Sequence, residues 1–333
     1  TQTARDFVVS GDTAFVVLQN HLYDLPLGEG TMCSVTLSKF SNEGIQLGID
    51  TVISYTLTRT IVYAIDQTHD GGFIIGGNVA GYVNIFKTDY YGNIEWTKSY
   101  PDGMMSYNCT AYSIIQTFDN GYLFTGEQEY SAIYTSYVIR TDSLGNVKWH
   151  NEYEYGVLRS IMETNDSCYL VTGYEENAHP YYFWTIKIDS AGNNLWRESI
   201  PNPIDIGQST EGHSTVQTND ECYVSVGFLD NWPEENGHIF LAKRTEEGDT
   251  LWTKILYNKG EAVSIKQTFD KGFIITGKQS GDVLLMKTDS LGNLCSTFIL
   301  SNNQEGFNIY PNPVCNDLNI QHDKNVRVSI YNI

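Results

Sequence analysis

The chain has 333 residues, 41% hydrophobic and 13% aromatic, with a formal net charge of −20. That apolar share suffices for one large core or a ring of small ones. The negative surface repels nucleic-acid phosphate and anionic head groups, so neither is expected as a partner. No apolar run reaches the ~18 residues of a membrane-spanning helix, so no transmembrane segment is expected.

The chain opens Thr1-Gln2-Thr3 without a charged-then-apolar leader. Either a signal peptide has been removed or the sequence starts within a longer gene. Alternating apolar residues then predict strands over 6–10, 14–19, 33–40 and 45–53, with Ser41-Asn42-Glu43-Gly44 as a tight turn. This is a worn copy of a unit that recurs five more times. The unit reads Thr-x-Asp-x-Gly-[Phe/Tyr]-apolar-x-x-Gly, and later apolar-x-Lys-x-Asp-x-x-Gly-Asn-x-x-Trp. Copies start at Thr68, Thr117, Thr164, Thr218 and Thr268, and their Asp residues (Asp70, Asp119, Asp166, Asp220, Asp270) stand 49, 47, 54 and 50 apart.

In the third copy the pattern predicts strands over 112–117, 122–128, 135–141 and 147–153, with 129–134 as a loop. Phe118-Asp119-Asn120-Gly121 is a turn, in which Asp119 and Asn120 support local side-chain bonds and Gly121 supplies the positive φ. Four short antiparallel strands in about fifty residues make one propeller blade. The expected fold is therefore all-β: a β-propeller of six four-stranded blades at about 5–53, 62–100, 111–153, 157–200, 212–256 and 262–300. A longer protein could carry a seventh. Ring closure would protect strand edges.

Residues in register with the repeat have structural explanations. Gly77, Gly126, Gly173, Gly227 and Gly277 fall mid-strand and predict a bulge or a close backbone approach. Trp96, Trp149, Trp196 and Trp252 suit a wedge between neighbouring sheets. A basic residue recurs on each third strand (Lys39, Lys87, Arg140, Lys187, Lys243, Lys287) and predicts a girdle tying blade to blade. Cys168 and Cys222 replace a turn glycine and are expected as small buried fillers. No CxxC pair occurs, which argues against zinc and redox motifs.

After Leu300 the repeat stops. A polar linker, 301–306, leads to a small β unit over 307–333. Pro311 and Pro313 hold an extended entry, and Leu318/Ile320 and Val326/Val328/Ile330 alternate as strands. Tyr310-Pro311-Asn312-Pro313, followed by Leu318 and Ile320, resembles the C-terminal sorting domain of the type IX secretion system. The resemblance implies the secretion machinery as a partner, and Sec then type IX export to the cell surface or beyond. The family continues further, so this truncated copy is not expected to be export-competent. The repeat itself resembles exported propeller proteins of Bacteroidetes-type bacteria. Its Asp-x-x-Gly-Asn-x-x-Trp half is similar to the tryptophan-docking motif of quinoprotein propellers. Quinone chemistry would need a central pocket with cation ligands and a catalytic acid, which the docking motif does not supply. No cofactor or metal is expected.

In such a blade the short repetitive turns share one face. The second-to-third loops and the blade-to-blade links share the other, and are expected to be long and irregular. The candidate ligand residues there are Tyr23, Tyr107, Tyr130, Tyr134, Tyr181, Trp232, Asp102 and Glu234. Aromatic plates beside carboxylates resemble a carbohydrate-binding surface; alternatively, such rings merely cap loops. His21, His179, His213 and His238 fall near that face without HExxH or other metal spacing, and there is no Gly-x-Ser-x-Gly elbow or phosphate loop. No catalytic residue is assigned. The leading expectation is an exported, non-enzymatic binding or adhesion protein for a glycan or protein. The alternatives are a polysaccharide-active enzyme using loop carboxylates, or a spacer.

Overall fold

The computed structural model describes residues 2–9, 15–24, 31–41, 45–56, 60–100, 109–130, 133–154, 156–175, 180–200, 209–230, 237–280 and 282–300, with further strands at 307–310, 319–322 and 329–331. The first blade comprises β1 (Gln2–Val9), β2 (Phe15–Asp24), β3 (Thr31–Phe40) and β4 (Gln46–Thr56). The second comprises β5 (Thr60–Gln67), β6 (Phe73–Val79), β7 (Tyr82–Thr88) and β8 (Ile94–Tyr100). The third comprises β9 (Thr110–Gln116), β10 (Tyr122–Tyr130), β11 (Ile133–Thr141) and β12 (Val147–Glu154). The fourth comprises β13 (Gly156–Glu163), β14 (Tyr169–Glu175), β15 (Tyr182–Ile188) and β16 (Asn194–Ile200). The fifth comprises β17 (Thr210–Gln217), β18 (Tyr223–Leu229), β19 (His238–Arg244) and β20 (Thr250–Lys259). The sixth comprises β21 (Glu261–Gln267), β22 (Phe273–Gln279), β23 (Asp282–Thr288) and β24 (Leu294–Leu300).

Each sheet is a meander of sequence neighbours, and the fold is an all-β propeller of six four-stranded blades. Among the described residues no helix is long and apolar enough to cross a membrane. The chain divides into two compact units, Thr1–Ile161 and Met162–Ile333.

Each unit has the same internal logic. In the second to fifth blades the second and third strands are covered on both faces and read as apolar runs. In β6 every residue from Phe73 to Gly77 is buried. Outer strands alternate: β8 exposes Glu95, Thr97 and Ser99 and buries Tyr100. The cores lie between consecutive sheets. In the N-terminal unit, Leu18, Val35 and Leu37 of the first blade meet Val62, Phe73 and Ile75 of the second. Ile74 and Ile85 of the second meet Ile114, Phe124 and Ile139 of the third. In the C-terminal unit, Val224, Val226 and Leu241 of the fifth blade meet Ile265, Phe273 and Met286 of the sixth.

The recurrent polar residues close the turns. At the third-to-fourth turn, Asp89 Oδ1 accepts from the Tyr91 and Asn93 amides, and Asn93 Nδ2 donates to Asp89 Oδ2. Asp142, Asp189 and Asp289 repeat this pattern. The turn glycine there has positive φ, for example 82° at Gly92 and 76° at Gly145. It also receives the tryptophan of the preceding blade. A Cβ on Gly145 would stand 3.2 Å from Trp96, and one on Gly292 would stand 2.8 Å from Trp252. Trp196 donates from its indole to the Glu246 carbonyl (3.0 Å). These tryptophans are therefore wedges. Gly48 stands where the first blade lacks one, and there Asp50, Leu37 and Val52 approach Gly92 instead.

The recurrent basic residue serves a different role from the one expected. It pairs with the Thr-x-Asp turn of its own blade: Lys87 with Asp70 (2.9 Å), Lys187 with Asp166 (2.8 Å), Lys243 with Asp220 (2.6 Å), Lys287 with Asp270 (2.9 Å), and Arg140 with Asp119. Lys39, which donates to the Tyr90 carbonyl (2.7 Å), and Lys187, 3.3 Å from Glu246, also reach the next blade. Blade-to-blade clips come instead from the glutamine before each turn. Gln116 accepts from the His69 amide (2.6 Å), Gln217 from Asn165 (2.9 Å) and Gln267 from Asn219 (3.0 Å).

The same turn corrects the reading of its glycine. Positive φ falls one residue earlier, on Gly71, Asn120, Ser167, Glu221 and Lys271. Gly72 and Gly121 are small because a Cβ would collide with the Thr88 or Thr141 carbonyl and with the Lys87 or Arg140 head group. Cys168 and Cys222 occupy this rim position half-buried, not buried as expected, and both thiols are free.

Candidate functional site

Four of the eight predicted ligand residues lie outside the described residues: Tyr107, Asp102, Trp232 and Glu234. Tyr23, Tyr130 and Tyr134 are not in loops. β2 runs on to Asp24 and pairs Tyr23 with Met32. β10 and β11 run to within two residues of one another, pairing Tyr130 with Ile133 and Glu129 with Tyr134. Tyr, Ile and Thr favour extended backbone, so the ladder continues until two residues suffice to reverse it. The second-to-third connection is equally short in the second blade, where Val79 pairs with Tyr82, and in the sixth, where Gln279 pairs with Asp282. Irregularity is thus not general on that side of the blades. Tyr181 precedes β15, half-buried, and stacks on Tyr174 with centroids 5.7 Å apart.

The structure places a different set of side chains together. In the second, third, fifth and sixth blades the ladder between first and second strands slips by one residue opposite the mid-strand glycine, and in the first blade it slips opposite Leu18 and Gln19. Val62 and Ala64 pair across β6 while Tyr63 is skipped. Tyr112, His213 and Val263 are skipped likewise in later blades, and Arg5 in the first. The glycine makes this bulge feasible, since a Cβ on Gly77 would stand 2.6 Å from the Ile61 carbonyl and 2.8 Å from Val62 Cα. Gly126 crowds the Thr110 carbonyl in the same way. A bulge leaves its extra residue unpaired and re-aims its side chain.

In the N-terminal unit first strands of neighbouring blades lie side by side. Asp6 accepts from the Ile65 amide (3.0 Å), Asp66 from Gln116 (2.9 Å) and Ser113 Oγ from Ile161 (3.3 Å). The bulged side chains therefore form a row. The Arg5 guanidinium lies 5.2 Å from the Tyr63 ring centroid. Tyr63 meets Tyr112 edge-to-face at 5.6 Å. The Arg159 guanidinium lies 4.3 Å from the Tyr112 centroid. Two phenol rings are bracketed by two guanidiniums. Arg5 is exposed, while Tyr63, Tyr112 and Arg159 are half-buried.

The Tyr112 hydroxyl donates to Glu127. Burial raises the Tyr112 pKa, and the bond to Glu127 adds to that rise against the opposing Arg159 charge, so the phenol stays protonated at neutral pH. The nearby carboxylates are engaged: Asp6 and Asp66 hold backbone amides, and Glu127 holds the phenol.

The C-terminal unit carries His213 at the same register. This imidazole belongs to a first strand, not to the loop face. Its Nδ1 donates to the Ala262 carbonyl (2.6 Å), and its Nε2 lies 3.5 Å from Glu211 Oε2. Glu261 stands 3.8 Å from Nδ1 and pairs with Lys278 at 2.9 Å. Val263 holds the register in the sixth blade. His21 meets Thr36 (2.9 Å), and His238 is buried. Among the described residues no group of three His, Cys, Asp or Glu is placed to hold a metal ion.

The row lies on strands and not on the loops where ligand residues were expected, yet the sequence carries a signal for it. The residue five before each turn threonine reads Tyr63, Tyr112, Arg159, His213 and Val263. It varies in chemistry inside an otherwise repetitive apolar strand.

Of the C-terminal segment, β25 (Phe307–Tyr310) and β26 (Asn319–His322) pair, placing Ile309 opposite Ile320. β27 (Ser329–Tyr331) pairs with β24 at the outer edge of the sixth blade. Pro311, Asn312, Pro313 and Leu318 lie outside the described residues.

No family model and no curated protein matches the chain. Solved structures do resemble it. A polysaccharide lyase, Uly1, superposes with a TM-score of 0.56 at 10% identity, covering 92% of this chain and 85% of its own. An ulvan lyase bound to a glucuronyl–sulfated-rhamnose saccharide gives 0.55 at 8% identity, covering 86% and 79%. A Bacteroides caccae protein of unknown function gives 0.50 at 12% identity, covering 78% and 88%. At such identities the likeness is one of fold alone.

Proposed function

We propose that this protein is an exported binding propeller that takes a glycan against the ring-and-guanidinium row of its N-terminal unit. The carrying observation is that neighbouring first strands place Arg5, Tyr63, Tyr112 and Arg159 in one partly exposed row, the first three of them at register slips of their ladders. Apolar sugar faces stack on phenol rings, and sugar hydroxyls bond to guanidinium and carboxylate groups. A row built on paired strands holds its geometry better than one built on loops. Neighbours of the same fold that act on polysaccharides are compatible with this reading. Export through the type IX machinery to the cell surface or beyond rests on the likeness of Tyr310, Pro311, Asn312, Pro313, Leu318 and Ile320 to a sorting domain. So does a source among Bacteroidetes-type bacteria, together with the repeat's spelling.

A second reading, a polysaccharide-active enzyme, is favoured by the Tyr112 hydroxyl donating to Glu127 under the Arg159 charge, since a phenol–carboxylate pair can move a proton. A glycan array with wild type and Tyr63→Ala tests binding: captured glycans should be lost with the ring. An array with no captured glycan would overturn it. Appearance of reducing ends during incubation with the captured polysaccharide would replace the binder by the enzyme. Secretion of the full-length gene product from hosts with and without type IX machinery tests the export route.

A further inference from the structure

We infer that the outer edge of the sixth blade is a strand-acceptor site, and that the chain's own C-terminal strand, β27, fills it as a latch. The sixth sheet holds five strands among the described residues, in the order β21-β22-β23-β24-β27, where every other blade holds four. β27 runs antiparallel to β24 and pairs Tyr331 with Thr297, Ile330 with Phe298 and Ser329 with Ile299. A strand added in this way takes its affinity from main-chain bonds along the edge and its specificity from alternate side chains.

β24 has the composition of a covered strand. An outer strand presents a row of unpaired amides and carbonyls, and charged side chains commonly guard such an edge. The outer strands of the first five blades each carry a charge: Asp50 in β4, Glu95 in β8, Lys148 in β12, Arg197 in β16 and Lys254 in β20. β24 reads Leu-Cys-Ser-Thr-Phe-Ile-Leu and carries none.

Burial agrees with composition. Ile49, Thr97, His150, Arg197 and Thr253 hold one shared register against the third strands of the first five blades, and all are exposed. Thr297 holds that register in the sixth blade, opposite Met286, and is 3% exposed. The occupant fits the edge in sequence as well. Val326, Val328 and Ile330 alternate, the spelling of a strand with one apolar face. Acceptor and occupant belong to one chain, so the tethered strand outcompetes a free peptide of the same sequence. A partner that takes this segment as an extended strand must first lift it from the blade.

The test uses the full chain with Ser329→Pro and Ile330→Pro combined. Amides of an antiparallel strand face the partner at alternate residues, so one of the two prolines removes a ladder bond whichever residue makes it. Both lie beyond the repeat and leave the six blades untouched. Hydrogen exchange of residues 294–300, read by mass spectrometry, should become at least tenfold faster than in wild type. A labelled synthetic peptide of residues 324–333 should bind the proline variant at least tenfold more tightly than wild type. Thr297→Lys, on the acceptor strand, should speed exchange of residues 294–300 likewise, while Thr97→Lys should leave residues 94–100 unchanged.

Exchange unaltered by the prolines, or the peptide bound equally by both forms or by neither, overturns the latch. A wild-type dimer that the prolines convert to a monomer overturns it too, since the occupant would then be the strand of a second copy.

Discussion

The two units solve the same packing problem with the same devices and then part company at one register position. In the N-terminal unit that position of the first strand carries Arg5, Tyr63, Tyr112 and Arg159, the first three at register slips. In the C-terminal unit it carries His213 and Val263, with Glu211 and Glu261 beside them. The bulge is a structural constant and its side chain is a variable. This separation lets a repeat keep its fold while changing what it displays, because the unpaired residue of a bulge owes nothing to the ladder or to the core.

A second contrast concerns buried cations. Arg140 of the N-terminal unit pairs with Asp119 and donates to the Tyr122 carbonyl (3.2 Å). Arg244 of the C-terminal unit is buried and its three guanidinium nitrogens have no hydrogen-bond partner among the described residues. Its guanidinium lies 5.7 Å from the Phe183 centroid, and burial pulls its pKa down to about 10. Other blades place Thr88, Thr141 or Thr288 there.

If the scaffold is common, equivalent core deletions must cost the same. Phe73→Ala and Phe273→Ala, which pair with Thr88 and Thr288 at the same register, should each lose about 3–5 kcal/mol in urea denaturation. A large inequality would mean that the units are not equivalent scaffolds. The buried arginines should differ in sign. Arg140→Met should destabilise by about 2 kcal/mol, while Arg244→Met should be neutral or stabilise by about 1–3 kcal/mol, since it removes a buried charge that Glu198 opposes only at a distance and that lacks hydrogen bonds among the described residues. Thermal melts of the two variants decide this; destabilisation by both would show that Arg244 holds a partner.

Gly126→Ala and Gly227→Ala each drive a Cβ into a first-strand carbonyl, Thr110 or Glu211. Both should cost about 2 kcal/mol, but only Gly126→Ala should also impair glycan binding, because only there does the displaced bulge carry a ligand residue. Tyr63→Ala should weaken glycan affinity about tenfold and His213→Ala not at all, worth about 1.4 kcal/mol on the scale where tenfold is that energy. Titration calorimetry checks both.

The smallest effect should be shared by the two units. Burial pushes Asp70 up, but bonds from Thr68, Lys87 and the Gly72 amide outweigh it and hold the carboxyl at about 2. Asp270 is held at about 2 chiefly by Lys287. A carboxyl whose folded pKa is depressed stabilises the protein above its unfolded value near 4, and that contribution fades as pH falls from about 4 through about 2. Both groups are half-exposed, so screening limits each to under about 1 kcal/mol. Asp70→Asn and Asp270→Asn should each flatten the acid limb of stability against pH to a similar extent. A flattening confined to one would separate the units at the turns as well.

Much of the molecule was legible in the residues. The fifty-residue period, the Asp-x-x-Gly-Asn turns and the Trp wedges announce a propeller because each is a local device: a turn closed by its own Asp and Asn, a ring placed identically in each sheet. Six blades follow from six copies. What went astray depended on distance. The basic residue precedes an Asp by two positions, yet its head group reaches back across two strands to the Thr-x-Asp turn, and only the folded ladder brings Lys87 to Asp70. Gly121 reads as a positive-φ glycine, whereas its task is to make room for Arg140.

The candidate site divides along the same line. Local spelling set strand, turn and bulge, since each follows from sterics and bonds within a few residues. The row Arg5–Tyr63–Tyr112–Arg159 joins residues that stand about one repeat apart and become neighbours only when first strands align. No window of the chain contains two of them, so their meeting was decided by the packing of sheet against sheet.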